Sequence, residues 1–110
     1  MSLDFYLQYE CDGNEITVFD RNITHNLGKM ADKAGIYYAL WRPEEKGRTK
    51  ASELVPVLEK GLKRLRSKPE YYEKFNSPNG WGMYEHFVPF VASVLEACKT
   101  YPTATIYISR

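Results

Sequence analysis

The sequence predicts an α+β fold, in which a small sheet of about three strands is covered by several helices. Apolar and polar residues alternate at both ends of the chain, which is typical of strands, and the segment between them carries apolar residues at helical spacing. An N-terminal hairpin and a distant C-terminal strand therefore give the order ββααααβ. Since 110 residues are enough for one domain, we expect residues 1–110 to form a single compact domain.

The first two strands are predicted from period-two alternation. Residues 3–9 place every second, apolar side chain on one face. A turn signal at residues 11–14, which contains Gly13, separates this run from a second alternating run at 16–20. Two such runs joined by a short glycine-containing turn predict a β-hairpin.

Helical spacing replaces alternation from Asn22 onwards. Apolar residues between Leu27 and Ala34 predict a first helix, with Asn22 or Thr24 as its N-cap and Gly35 as its stop. A second short helix is predicted over residues 36–41. It should end near Arg42, because a proline follows and disfavours helical backbone in the residue before it.

The second half of the chain predicts three more helices and a strand. A leucine stripe from Leu54 to Leu65 predicts a helix that begins near Ser52, with Pro56 in its first turn. A short helix is expected over residues 69–75. A long helix over Met83–Cys98 follows, with a kink at Pro89. Alternation over residues 104–109 predicts a last strand, which we expect to pair with the first.

Composition excludes several classes of function. Fifteen Lys and Arg against fourteen Asp and Glu leave a net charge of +1, which argues against a nucleic-acid or anionic-membrane binder. No apolar run approaches the roughly 18 residues of a membrane span, and polar residues interrupt the N-terminus where a signal peptide would be apolar. The two cysteines, Cys11 and Cys98, lack metal-ligand or redox spacing, so we expect free thiols and a cytoplasmic protein.

The densest polar cluster runs from the second strand into the first helix. Backbone N–H groups at a helix N-terminus attract anions, and neighbouring side chains add donors. The sequence therefore predicts a site for a phosphate or carboxylate formed by Asp20, Asn22, Thr24, His25 and Asn26. The alternative is that these residues only cap the helix and satisfy the local backbone.

His25 is the candidate catalytic residue. A helix N-terminus disfavours a cation, which predicts a neutral imidazole suited to a general base, with Asp20 as its orienting partner. His86 is the only other histidine, and nothing in the spacing brings the two together. No nucleophile, phosphate-loop, dinucleotide or zinc motif is present, so we expect neither a cofactor nor a metal ion.

Aromatic residues beside loops predict a second part of the site. Trp41 and Arg42 precede a charged loop, and Trp81 lies between two glycines shortly before Tyr84. The two tryptophans could form a stacking platform for a planar group, with Arg42 pairing to a negative one. The alternative is that each tryptophan anchors its loop to the core.

Several segments together resemble a group of small uncharacterised proteins encoded by bacteriophages, prophages and bacteria. The segments that carry the resemblance are Leu3–Leu7, Asn22–Leu27, Leu40–Glu45, Trp81–Tyr84 and Ser109–Arg110. The resemblance implies no activity. It implies a cytoplasmic, phage-associated setting, in which small non-enzymatic proteins commonly bind a host protein or a signalling nucleotide.

Three functional hypotheses follow. The first is an intracellular binding protein whose junction, Trp41, Arg42, Trp81 and Tyr84 line one site for a small anionic or planar ligand or a partner's loop. The second is a protein-interaction or structural phage component, supported by the Tyr-rich composition and the near-neutral charge, and expected to form a homodimer. One exposed face carrying Tyr37, Tyr71, Tyr72 and Tyr101 would favour it. The third is a hydrolase or nuclease that depends on His25.

Overall fold

A long antiparallel hairpin begins the chain. The computed structural model describes residues 2–110, and its first strands are β1 (Ser2–Cys11) and β2 (Asn14–Thr24). Between them, Asp12 and Gly13 have φ angles of 52° and 80°. Two successive positive φ angles are typical of a tight type I′ turn, whose twist matches that of the strands. The predicted hairpin is confirmed.

The last strand completes the sheet beside the first. β3 (Thr105–Ser109) runs antiparallel to β1, so the strand order is β2-β1-β3 and the predicted pairing is confirmed. The outer edge of β3 is partly covered, because the Ile106 N–H donates to the Thr49 carbonyl and Lys50 forms a bridge with Thr105. β2 forms the opposite edge of the sheet.

The second strand continues past its predicted end at Asp20. Every residue from Asp20, opposite Tyr6, to Thr24, opposite Ser2, has a partner in β1. This pairing outweighs the polar character of the segment, which had suggested a helix start. Asn22 was wrongly predicted as a helix N-cap and is a strand residue. The strand-to-helix junction therefore lies at Thr24.

Helices fill the chain between β2 and β3, which confirms the α+β fold with a hairpin first and a strand last; the α-helices of the described residues number five rather than the four of the predicted order ββααααβ. Residues 25–104, all described by the structure, form five α-helices: α1 (Gly28–Lys33), α2 (Tyr37–Trp41), α3 (Val55–Ser67), α4 (Pro69–Glu73) and α5 (Tyr84–Thr100). Short 3-10 turns lie at His25–Leu27, Pro43–Lys46 and Ala51–Leu54. No helix within residues 2–110 is long and apolar enough to cross a bilayer.

The core lies between the helices and one face of the sheet. Leu3, Phe5 and Leu7 alternate along β1 and are fully buried, as their period predicts. The two long helices, α3 and α5, pack on each other and supply much of the remaining core. Their fully buried core side chains are Leu58, Leu65, Phe87, Val91, Val94 and Cys98.

Candidate functional site

The turn that follows β2 sends two neighbouring side chains to different parts of the molecule. The Thr24 hydroxyl accepts a hydrogen bond from the Asn26 N–H at 3.3 Å and caps the 3-10 turn His25–Leu27, which is the usual role of an N-cap threonine. His25 then contacts Trp41 in α2, and the Asn26 amide donates to the Trp81 carbonyl at 2.7 Å. Thr24, predicted as the N-cap of the first helix, thus caps the turn that precedes α1, whose own N-cap is Leu27.

The His25 imidazole is fixed by an indole. Its Nδ1 accepts a hydrogen bond from the Trp41 Nε1–H at 2.9 Å. An imidazole that accepts at Nδ1 is neutral and carries its proton on Nε2, so His25 offers an N–H donor at its other nitrogen. Within residues 2–110, His25 makes no hydrogen bond with Asp20, and the orienting partner is Trp41 instead.

Trp41 forms an aromatic wall with Tyr37, one helical turn earlier in α2. The two rings stack with centroids 5.5 Å apart and planes 9° apart. Trp41 is 3% exposed, whereas Tyr37 is half-buried. The Tyr37 hydroxyl accepts a hydrogen bond from Arg42 Nε at 3.2 Å. Tyr37 is therefore the part of this wall that is open to solvent, and it lies beside the charged Arg42 side chain.

Two guanidinium groups reach the same place from distant parts of the chain. Arg42 donates from Nη1 to Glu45 at 3.0 Å, and Arg110 donates from Nη1 to the Trp41 carbonyl and to Glu44, each at 2.7 Å. Hydrogen bonds to Tyr37 and then to Glu45 raise the pKa of Arg42. The hydrogen bond from Arg110 lowers the pKa of Glu44 below its ordinary value of 4.5.

The sheet register explains why Arg110 lies near His25. Thr24, just before His25, is opposite Ser2, and Ser109, just before Arg110, is opposite Asp4. The ends of β2 and β3 therefore meet at the same end of the sheet, where β1 begins.

The side chains of His25, Trp41 and the two arginines line one cleft of about 390 Å³. We call it the arginine cleft, lined by His25, Gly28, Tyr37, Trp41, Arg42 and Arg110. Its polar side-chain groups are mainly N–H donors, and its wall is aromatic. Such a surface is suited to accept an anionic group and a flat ring.

Trp81 lies beside a different cleft of about 310 Å³. We call this second one the Trp81 cleft, lined by Asn22, Ile23, Thr24, Leu27, Gly80, Trp81, Gly82 and His86. The structure thus divides the predicted site: His25, Trp41 and Arg42 line the arginine cleft, whereas Asn22, Thr24 and Trp81 line the other. Asn26 links the second cleft to the turn.

The predicted stacking platform of two tryptophans is not formed. The Trp41 indole is 3% exposed and stacked on Tyr37, whereas Trp81 is 73% exposed on its loop. The two residues line different clefts. For Trp41, the alternative expectation holds: the residue anchors its segment to the core.

Two predicted site residues have structural partners instead. The Asn22 amide donates to Ser2 Oγ at 2.8 Å and to Asp4 Oδ1 at 2.6 Å, which ties β2 to β1. The Tyr84 hydroxyl donates to the Leu65 carbonyl at 2.7 Å. This hydrogen bond ties the start of α5 to α3.

Neither a histidine pair nor a metal cluster is formed. His86 lies on the Trp81 cleft, 4.0 Å from the exposed carboxylate of Glu85, so the two histidines line separate clefts. Residues 2–110 contain no group of three or more His, Cys, Asp or Glu able to hold a metal ion. Both cysteines are free thiols; Cys11 is exposed, and burial raises the pKa of Cys98 to about 12.

The exposed tyrosine face that would favour the second hypothesis is not formed, since Tyr37 and Tyr101 are half-buried. Tyr72 is 4% exposed and belongs to the core, whereas its neighbour Tyr71 is 41% exposed. On a helix, consecutive residues face different directions. Tyr71 and Tyr72 therefore cannot share one exposed face.

Comparison with known proteins adds no relative. No family model matches the chain, and neither the curated proteins nor the solved structures contain a significant match. Function is therefore inferred from the geometry of the two clefts.

Sequence reasoning missed Arg110 and Tyr37 as site residues. Arg110 joins the cleft only through the pairing of β3 with β1, a contact between the two ends of the chain. Tyr37 precedes Trp41 by four residues, the spacing at which helical side chains meet. That spacing was the one local signal for the stacked pair.

Proposed function

We propose that this protein binds a small anionic ligand, with a planar group, in the arginine cleft. The observation that carries the proposal is the convergence of two guanidinium groups and one imidazole N–H on a cleft with an aromatic wall. Binding sites commonly combine an apolar surface with a few converging polar groups.

Donors remain for a ligand after the internal hydrogen bonds are counted. A guanidinium carries five N–H groups. Within the described residues, Arg42 uses Nε and Nη1, and Arg110 uses Nη1. The Nη2 groups of both arginines and the Nε2–H of His25 make no hydrogen bond there. These donors suit the oxygens of a carboxylate or phosphate.

The internal partners of the arginines favour binding as well. Glu44 and Glu45 hold the guanidinium groups in place, and ordering them before the ligand arrives lowers the entropy cost of association. Since each arginine has a carboxylate partner, the cleft carries little net charge. Recognition would therefore depend on hydrogen-bond geometry and stacking more than on long-range attraction.

The proposal includes a cytoplasmic, phage-associated setting. This part is supported by the resemblance of five sequence segments to small phage and bacterial proteins. A signalling nucleotide or another phosphate-bearing metabolite is the ligand class that suits both this setting and the donors of the cleft.

Isothermal titration calorimetry with AMP, pyrophosphate and adenosine tests the proposal. We expect AMP to bind more tightly than pyrophosphate, and adenosine to bind most weakly, because the cleft needs an anion and gains from a ring. Hydrogen bonds to charged groups contribute about 1.5–3 kcal/mol, so Arg42→Gln and Arg110→Gln should each weaken AMP binding by about tenfold or more.

Arg66→Gln is the matched control, because Arg66 is an exposed arginine of α3 outside the arginine cleft. It should leave AMP binding unchanged. Absence of binding by both AMP and pyrophosphate, or an equal loss in the Arg66 variant, would contradict the proposal.

A further inference from the structure

Trp81 combines a clamped backbone with a free side chain. The Asn79 carboxamide oxygen accepts from the Trp81 N–H at 2.9 Å, and the Trp81 carbonyl accepts from Asn26 at 2.7 Å. The Ser77 N–H also closes the loop onto the Gly82 carbonyl. Despite this order, the indole is 73% exposed, the most exposed large hydrophobic side chain among residues 2–110.

An exposed tryptophan on an ordered loop has the properties of an interface anchor. Tryptophan is enriched among the residues that dominate binding energy at interfaces. A loop that is already ordered loses little entropy when its side chain is buried by a partner. The indole itself makes no contribution to the core that would explain its presence.

The same surface also contains a recess. The Trp81 cleft measures about 310 Å³, the liquid volume of about ten water molecules, which is room for an aromatic side chain. Its floor includes Ile23 and Leu27, which are buried apolar residues. His86 is its only titratable lining residue, and the others carry no charge.

The end of an edge strand crosses this surface. Asn22, Ile23 and Thr24 line the cleft and belong to β2, whose outer edge has no partner strand within residues 2–110. β3, by contrast, is partly covered at its outer edge by residues 49–50. Glu15, Asp20, Arg21 and a β-bulge at Val18 protect the earlier part of β2, whereas Asn22–Thr24 at the cleft carry no charge, proline or bulge.

We propose that a second copy of this chain docks on this surface, each Trp81 indole entering the Trp81 cleft of the other copy. A projecting ring and a recess in one patch are self-complementary, as a two-fold interface requires. The lining residues other than His86 carry no charge, and the carboxylates that contact them are Glu85, beside His86, and Asp4, bonded to Asn22. The net charge of +1 adds little repulsion between two copies. The free edge of β2 lets the two backbones approach closely.

Sedimentation velocity across the micromolar range tests the proposal directly. We expect a reversible equilibrium between one chain and two. Trp81→Ala should raise the dissociation constant by at least about thirtyfold, as expected for an anchor residue. Tryptophan fluorescence of the unmodified protein should shift to shorter wavelength with concentration, because Trp81 leaves water whereas Trp41 is already buried.

Tyr107→Ala is the matched control, since it also removes an exposed aromatic ring. Tyr107 lies on β3 and is 53% exposed, so its variant should keep the wild-type dissociation constant. Circular dichroism should show both variants folded. A single-chain mass at every concentration, a dimer that Trp81→Ala leaves unchanged, or an equal loss in both variants would each overturn the proposal.

Discussion

Both tryptophans are tied to the turn at residues 25–27, Trp41 through His25 and Trp81 through Asn26. For Trp41 the tie is made by the indole N–H, and its ring is buried against Tyr37. For Trp81 the tie is made by the backbone carbonyl, and its ring is left in water. The difference teaches that, in this molecule, the indole held through its own N–H is buried, whereas the indole held only through its backbone stays exposed.

The two clefts differ in the charge of the residues that line them. The arginine cleft is rich in charged donors fixed by internal partners, which suits a small anion. The Trp81 cleft is almost uncharged and lies beside a free strand edge, which suits a protein surface. Adjacent residues of one short turn thus lie at two clefts of different chemistry.

The largest expected effect is the difference in stability lost when each of the two tryptophans is replaced by alanine. Trp41→Ala removes a buried ring and should lower the free energy of unfolding by about 3–5 kcal/mol. Trp81→Ala removes an exposed ring and should change it by less than about 0.5 kcal/mol. Urea denaturation at low protein concentration measures both. Similar losses in the two variants would show that the contrast in burial is wrong.

The next effect is expected from removing the hydrogen bond between Trp41 and His25 in the arginine cleft. His25→Ala leaves the buried Trp41 Nε1–H without its acceptor, which should cost about 1–3 kcal/mol. His86→Ala is the control, because the His86 side chain is mostly exposed and should contribute little to stability. If the two variants unfold at the same urea concentration, the His25–Trp41 bond does not stabilise the fold.

A smaller effect is expected in the loop that carries Trp81. Gly82 has φ 116°, and a Cβ there would lie 2.8 Å from the Asn26 Cβ. Gly82→Ala should therefore cost about 1–2 kcal/mol from backbone strain and displace Asn26. Gly80 has a smaller positive φ of 79° and open space around it, so Gly80→Ala should cost less. Urea denaturation measures the loss of stability, and the NMR resonance of the Trp81 indole N–H reports the displacement of the loop. A larger loss of stability in Gly80→Ala than in Gly82→Ala would contradict this prediction.

Local patterns were sufficient to predict the fold. The hairpin follows from alternation and from Gly13, and the first two helix ends follow from Gly35 and Pro43, because each signal acts within a few residues. The pairing of β3 with β1 was also predicted. The end of β2 was wrong, since pairing with β1 extends it through polar residues that alone resemble a helix start.

The site was harder to predict for a physical reason. Thr24, His25, Arg42 and Trp81 were identified by residue type, but type does not show which cleft a side chain enters. Arg110 depends on a contact between the chain ends. The burial of Trp41 depends on its fit against Tyr37 and His25, which no local pattern records.

The smallest expected effect is a loss of stability in acid. Arg110 lowers the pKa of Glu44 in the folded protein, so the unfolded chain binds this proton at higher pH than the folded chain. Stability is then lost as the pH falls below about 4.5. Glu44→Gln should have a shallower decline of the melting temperature over that range. An unchanged decline would show that the Glu44–Arg110 pair does not contribute.

The most direct test of the central claim is a titration of ¹⁵N-labelled protein with AMP, followed through the two tryptophan indole N–H resonances. The Trp41 indole donates to His25 in the arginine cleft, and the Trp81 indole lies outside it, so one spectrum contains both probe and control. We predict a saturable shift of the Trp41 resonance while that of Trp81 stays in place at constant protein concentration. A stationary Trp41 resonance, or equal shifts of both, would contradict the assignment of the arginine cleft as the ligand site.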